Sequence, residues 1–234
     1  MFKKSVAIIQ SNYIPWKGYF DIINRADDFV LLDTVQYTKR DWRNRNQIKT
    51  SQGLHWLSVP VVTEKREQKI NETIIANNDW TRKHLTTLMH SYSKAPYFDL
   101  YLDELKSCFN DASQLTRLSD VNLLFIRWIN DKLNIETNIH IAESFECKAT
   151  DASQQLLDIC ISLNANDYLS GKAAESYLDE SLFVKNDVSV SWMDYSHYKT
   201  YQQLYGGFTH YVSVLDLLFN QGPDATHYIK STIQ

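Results

Sequence analysis

Glycine and proline are scarce in this chain, with six Gly and four Pro among 234 residues. That scarcity excludes collagen-like, linker-like and low-complexity classes, and it leaves little for a glycine-rich phosphate loop. Neither GxGxxG nor GxxxxGK[ST] occurs, so a Rossmann dinucleotide fingerprint and a P-loop are both unsupported. Cysteine is also rare. Cys108, Cys147 and Cys160 are three, odd in number, far apart and without a CxxC pair, which argues against structural zinc or a disulfide framework. The helical apolar patterns around Cys108 and Cys160 make them small core residues. No HExxH, no GxSxG elbow and no Cys/His signature appears among the seven dispersed histidines, and no metal site is expected. No apolar run approaches the roughly 20 residues of a membrane span, and no signal peptide is evident. The expected location is the cytoplasm. A net charge of -4 excludes bulk nucleic-acid binding through a basic face.

What the chain does contain is aromatic: six Trp, fourteen Tyr and ten Phe. The hydrophobic fraction of 44% and charged fraction of 22% are those of a globular protein with a sizeable core. The N-terminus reads as a strand over Ser5–Gln10, a loop from Ser11 to Pro15, and a helix carrying Tyr19, Ile22, Ile23 and Ala26. A second buried strand follows at Phe29–Asp33. A β-loop-α-β unit of about 30 residues is a crossover between parallel strands. In such sheets ligands bind beyond the carboxyl ends of the strands, where Gln10 and Asp33 stand.

A hairpin is expected over Asn46–Val62, turning at Ser51-Gln52-Gly53, then a mobile charged connection over Glu64–Lys69. Three helices follow within residues 79–133, with apolar stripes such as Trp80, Leu85, Leu88, Met89 and Tyr92. They form a helical subdomain inserted in or packed on the sheet of a single domain, 1–234. A strand at Ile135–Ile141, a helix over Asp151–Asn164, a strand from Asp167, a short helix at Ala173–Leu178, a strand to Met193 and a last helix to Phe219 repeat the α/β pattern. The expected fold class is α/β, a Rossmann-like, mainly parallel sheet with a helical insertion and a β-hairpin.

The densest charge is Lys39, Arg40, Arg43, Arg45 and Lys49, five cations against one acid, Asp41. Arginine's planar fork suits phosphates and carboxylates. A solvated loop carrying scattered charge would read the same way. Interleaving with Trp42, Asn44 and Asn46 favours a ligand site, because rings and amides stack and hydrogen-bond without aiding solubility. Gln10, Tyr13, Trp16, Lys17 and Gln36 join these as binding candidates, with Ser170, Gly171, Tyr201 and Gln202 from loops at the same edge. His84, on the polar rows of its helix, and Asp33 are the candidate general bases.

Gln10-x-x-Tyr13-x-Pro15-Trp16-x-Gly18-Tyr19-Phe20, the Gln36–Asn46 block, Trp56-Leu57-x-Val59-Pro60, Tyr168-Leu-Ser-Gly171 and the tail from Ser213 to Pro223 together resemble the WbqC-like family over nearly the whole chain. The resemblance implies a role in bacterial O-antigen, lipopolysaccharide or other surface-polysaccharide synthesis. It implies attachment of an amino acid such as glycine, or a related acyl group, to an amino sugar, and it brings no catalytic residue with it. The N-terminal unit also resembles nucleotidyltransferase-like Rossmann topology, but Trp16-Lys17-Gly18-Tyr19 stands where that superfamily has His-x-Gly-His.

Three functions are therefore open. The leading one is an acyl- or aminoacyltransferase that takes a nucleotide-linked amino sugar and an activated acyl or aminoacyl donor, with the basic block on the phosphates. The second is an ATP-dependent nucleotidyl-transferring or activating enzyme using Mg²⁺. The third is a non-catalytic binding protein of a polysaccharide assembly pathway. The sequence names no cofactor.

Overall fold

A computed structural model describes residues 3–146 and 151–229; Cys147 lies outside them. Five parallel strands form the central sheet: β1 (Ser5–Ile9), β2 (Asp28–Leu31), β7 (Asn138–Ile141), β8 (Asp167–Gly171) and β9 (Ser189–Met193), in the order β7-β2-β1-β8-β9. The chain starts at the centre, builds outward through β2 to β7, then returns to the other side of β1 for β8 and β9. That order reverses direction between β1 and β8, which marks the crossing point of a doubly wound sheet.

Alternation along the strands divides the core in two. Ala7, Phe29 and Leu31 face one apolar cluster, while Val6, Ile8 and Val30 face the other. Helix α1 (Lys17–Arg25) covers the first face with Phe20, Ile22 and Ile23. Helices α5 (Ala152–Ser162) and α6 (Glu180–Val184) cover the second through Leu156, Leu157, Ile159 and Phe183. Burial on both faces is why these strands read as short apolar runs rather than as alternating ones.

Between β2 and β7 lie two small antiparallel pairs and three helices. Strands β3 (Arg45–Thr50) and β4 (Gly53–Ser58) form the expected hairpin, with Gly53 at φ +106°. The pairing does not run on to Val62 as one ribbon: β5 (Val61–Val62) turns away at Pro60 to pair with β6 (Ile74–Ile75). The charged connection is tied down at its end, where Gln68 is buried, donates to Val62 O and Thr73 Oγ1 at 3.0 Å each, and accepts from Tyr37 N at 2.7 Å.

Helices α2 (Asp79–Tyr92), α3 (Phe98–Ala112) and α4 (Leu118–Lys132) follow. Phe109 and Phe125 belong to the same apolar cluster as Tyr19 and Phe29, so the three helices share the sheet's core. Trp80, His84 and Leu88 repeat every four residues, and all three are buried. His84 therefore sits on the core face of α2, not on its polar rows. After β8 the expected helix at Ala173–Leu178 is a 3-10 turn, Lys172–Ala174, and the α-helix comes later as α6. Helix α7 (Val214–Gln221) ends at Gly222, whose φ of +55° suits glycine. There a Cβ would also lie 2.4 Å from the Tyr97 ring.

Candidate functional site

At the reversal between β1 and β8, the residues that follow the two strands line a crevice of about 400 Å³. Gln10 and Asn12 come from the loop after β1, and Ser170, Gly171 and Lys172 from β8 and the turn beyond it. Tyr177 and Tyr195 add aromatic faces. Burial pushes the Tyr195 phenol up to about 12, so it is a neutral donor. Trp16 walls the crevice and also lines a second pocket of about 240 Å³, with Asn12, Pro15, Trp42, Asn46 and Tyr211. The two cavities share Trp16 and Asn12 in their linings.

The loop that shapes both cavities is held from below. Ser11 N donates to the buried carboxylate of Asp33 at 2.8 Å. Burial raises the Asp33 carboxyl, while Ser11's bonds and the charge of Arg43 oppose that rise. Asn122 of α4 donates to Ser11 Oγ and to Arg43 O, both at 2.9 Å. Arg43 donates to Asn12 Oδ1, and one arm reaches Asp41 at 3.7 Å. Asn46 Nδ2 donates to Ile14 O at 2.8 Å. Gly18 gives the Trp16 ring its room, since a Cβ there would stand 2.3 Å from the indole. The indole thus folds over the first turn of α1, where a dinucleotide fold keeps a pyrophosphate. Tyr195, Tyr198 and Tyr211 pack around it, with ring centroids at 5.4, 5.8 and 6.3 Å.

Residues 10–228 match the WbqC-like protein family. The chain belongs to that family. An uncharacterized protein of Mycobacterium tuberculosis, Rv1507c, is 45% identical over 229 residues, which is 97% of this chain and 98% of that protein.

In this WbqC-like chain, Gln10, Trp16, Ser170 and Gly171 converge on the crevice, and Trp42 and Asn46 on the adjoining pocket. The basic block does not converge. Arg40 is exposed with φ +61° and offers its carbonyl to Arg45. Arg45 lies over the Trp56 ring at 4.2 Å, and Arg43 holds the loop after β1. Lys49 is buried, with Nζ donating to Gln203 Oε1 at 3.2 Å and to Gly207 O. Gln36 donates to Arg66 O at 2.7 Å in a separate open groove. Asn44 is structural, donating to Val59 O at 2.8 Å.

Tyr13 and His84 are both buried, with the Tyr13 hydroxyl 2.9 Å from His84 Nδ1. Burial drops the imidazole to about 4, partly offset by a bond to the Ser58 backbone. It is thus a neutral ring walled in by Trp80 and Tyr13 rather than a base open to a ligand. Lys17 is buried too, donating to Lys199 O at 3.0 Å and lying over the Tyr198 ring, and burial brings it down to about 8. Tyr201 donates to the buried Asp216, while Gln202 is exposed. Asn12 and Tyr211 were not singled out by sequence. Asn12 sits inside the loop already suspected, but nothing local sets it apart from Ser11, and Tyr211 lies far along the chain in an irregular segment. Among the described residues, no three of His, Cys, Asp and Glu gather as metal ligands, and no helix is long and apolar enough to cross a membrane.

Proposed function

We propose that the crevice binds a nucleotide-linked amino sugar and that the protein transfers an acyl or aminoacyl group to the sugar's amine, in the synthesis of a bacterial surface polysaccharide. The observation that carries this reading is a pair of cavities, the crevice at the β1/β8 crossing point and a second pocket that shares Trp16 and Asn12 with it. Two cavities with shared lining residues give a reaction that joins two molecules a place for each. The rim of the crevice suits the first substrate. Gln10, Asn12 and Ser170 match a hydroxyl-rich ring, Tyr177 and Tyr195 offer faces to a base, and Lys172 supplies a cation for the diphosphate.

In this reading the amine's lone pair attacks the acyl carbonyl carbon of an activated ester or thioester. The new C–N bond forms, the bond from carbonyl to leaving group breaks, and the proton released from nitrogen ends on the leaving group. His84 and Asp33 are engaged in holding the fold, so the reading gives neither a proton-transfer role. The rate advantage comes from fixing a free amine against the carbonyl.

Thermal shift tests this directly. UDP- or dTDP-linked amino sugars are expected to raise Tm, and Gly171→Leu, which fills the crevice, to abolish the rise. A Cβ at Gly171 meets Tyr195 Oη at an ordinary 3.5 Å, so the backbone there accepts a Cβ directed at the crevice wall. Stabilisation by ATP with Mg²⁺ alone would favour an activating enzyme instead, and stabilisation by neither would remove the nucleotide from the reading.

A further inference from the structure

We infer that the pocket walled by Trp16, Trp42 and Tyr211 is the subsite for the acyl part of the donor, and that this acyl group carries no charge. The inference rests on the transferase reading of the crevice and adds the chemistry of its second substrate.

The pocket is built rather than incidental. Trp42 is backed by Trp56 at a centroid distance of 5.4 Å, and its carbonyl accepts from Tyr13 N at 3.1 Å. Tyr211 lies near-parallel to Trp16, at 29° and 6.3 Å. Pro15 O accepts from Val214 N at 2.9 Å, which ties the floor to α7.

Its two amide side chains are largely spent. Asn46 Nδ2 donates to Ile14 O and its Oδ1 accepts from Gln47 N, each at 2.8 Å. Asn12 Oδ1 accepts from Arg43. The rest of the lining is three aromatic rings and a proline, and the side-chain donors it holds are the Asn12 amide nitrogen, the indole N–H groups of Trp16 and Trp42 and the Tyr211 hydroxyl. A few donors among apolar faces match an acyl carbonyl, and the rings match the hydrocarbon behind it. A sugar would leave several hydroxyls unpaired against apolar walls, at a cost for each.

The α-ammonium of an aminoacyl group meets a different difficulty. Among the described residues no carboxylate lines the pocket, and the nearby Asp41 already accepts from Trp42 N and pairs with Arg43. Aromatic faces do attract ammonium ions. Here, however, Arg43 stands behind Asn12, and Arg45 covers Trp56 behind Trp42, so a third positive charge would enter beside two. An anionic acyl group finds no cation among the described lining residues, and the two arginines behind it are already engaged, Arg43 with Asn12 and Asp41 and Arg45 with the Arg40 carbonyl and the Trp56 ring. A short neutral acyl chain remains.

The test uses the full chain and three probes followed by calorimetry: S-butyryl-N-acetylcysteamine, S-glycyl-N-acetylcysteamine and N-acetylcysteamine itself. Butyryl thioester is expected to bind about tenfold more tightly than either other probe, and Trp42→Ala to lose about tenfold of that affinity. Trp42 is 43% exposed, so the variant folds. Trp42 does not line the crevice, so the thermal shift given by UDP-amino sugars should persist in it. Equal or tighter glycyl binding, no butyryl binding, or unchanged butyryl affinity in Trp42→Ala would each overturn the inference. Failure of the parent reading shows separately, as no nucleotide-sugar shift in the unmutated protein.

Discussion

Asn46 donates to the carbonyl of Ile14 at 2.8 Å, and Ile14 is held at φ +36°. A β-branched residue in left-handed backbone is strained by roughly 1–3 kcal/mol, so the surroundings must over-determine it. Asn46 also reaches Tyr13 O at 3.3 Å, clamping the turn that delivers Pro15 and Trp16 to the two cavities. A hairpin strand thereby sets the shape of a loop that follows β1.

Asn46→Ala is expected to cost about 2 kcal/mol, because two buried carbonyls lose their donor while the strain at Ile14 goes unopposed. Urea denaturation should show the midpoint falling with little change in slope. A loss below about 0.5 kcal/mol would mean that packing alone holds the turn.

Gly18 and Trp16 are coupled by space. Alanine at 18 would put a Cβ 2.3 Å from the indole, so Gly18→Ala should destabilise by about 1–3 kcal/mol and weaken ligand binding at both cavities. In a Trp16→Ala background the clash is gone, and the same change should be neutral or slightly stabilising, as Gly to Ala is in a helix. A double-mutant cycle reads the difference as interaction energy. Additive effects would show that the ring does not occupy that space.

His84 gives stability a pH dependence of known sign. Its folded value is about 4, below the 6.5 of an exposed imidazole. Between those values the unfolded chain binds a proton that the folded one does not, so stability is fully present above pH 6.5 and falls as the pH drops toward 4. The loss amounts to about 3 kcal/mol. His84→Gln keeps a polar group near Tyr13 but does not titrate, so its urea stability should fall less between pH 7 and pH 4.5. Parallel curves for the two proteins would contradict a neutral buried imidazole.

Much of the sheet was legible because buried parallel strands are short apolar runs between polar ends, and Ser5–Ile9, Asp28–Leu31 and Asp167–Gly171 all have that form. The edge that carries the crevice followed from their direction. Side-chain roles were less legible. The polarity of His84 points outward, although its spacing from Trp80 and Leu88 places it on the buried stripe. The basic block looked like one anion site because its charges are close in sequence. Strand alternation and the turn at Arg40 send those side chains to different partners, and no local pattern reveals a stacking contact with Trp56 or a buried bond to Gly207.

The neighbours Gln202 and Gln203 offer a sharp case of this. Sequence nominated Gln202, which is exposed, while Gln203 is bound on all sides. Gln203 Nε2 donates to Asp216 Oδ1 at 2.8 Å and Thr209 O at 2.9 Å, and its Oε1 accepts from Thr209 N at 3.1 Å and Lys49 Nζ at 3.2 Å. Asp216 also accepts from Tyr201 at 2.8 Å and Tyr92 at 2.9 Å, and burial raises its carboxyl. The network joins the hairpin, α2, α7 and the segment before α7. Removing a member leaves buried charge under-satisfied, so Gln203→Ala should cost about 2–3 kcal/mol and Tyr201→Phe about 1–2 kcal/mol. Gln202→Ala should stay within about 0.5 kcal/mol. Urea midpoints of the three variants decide it: a Gln202→Ala loss equal to that of Gln203→Ala would show that the network does not set the two glutamines apart.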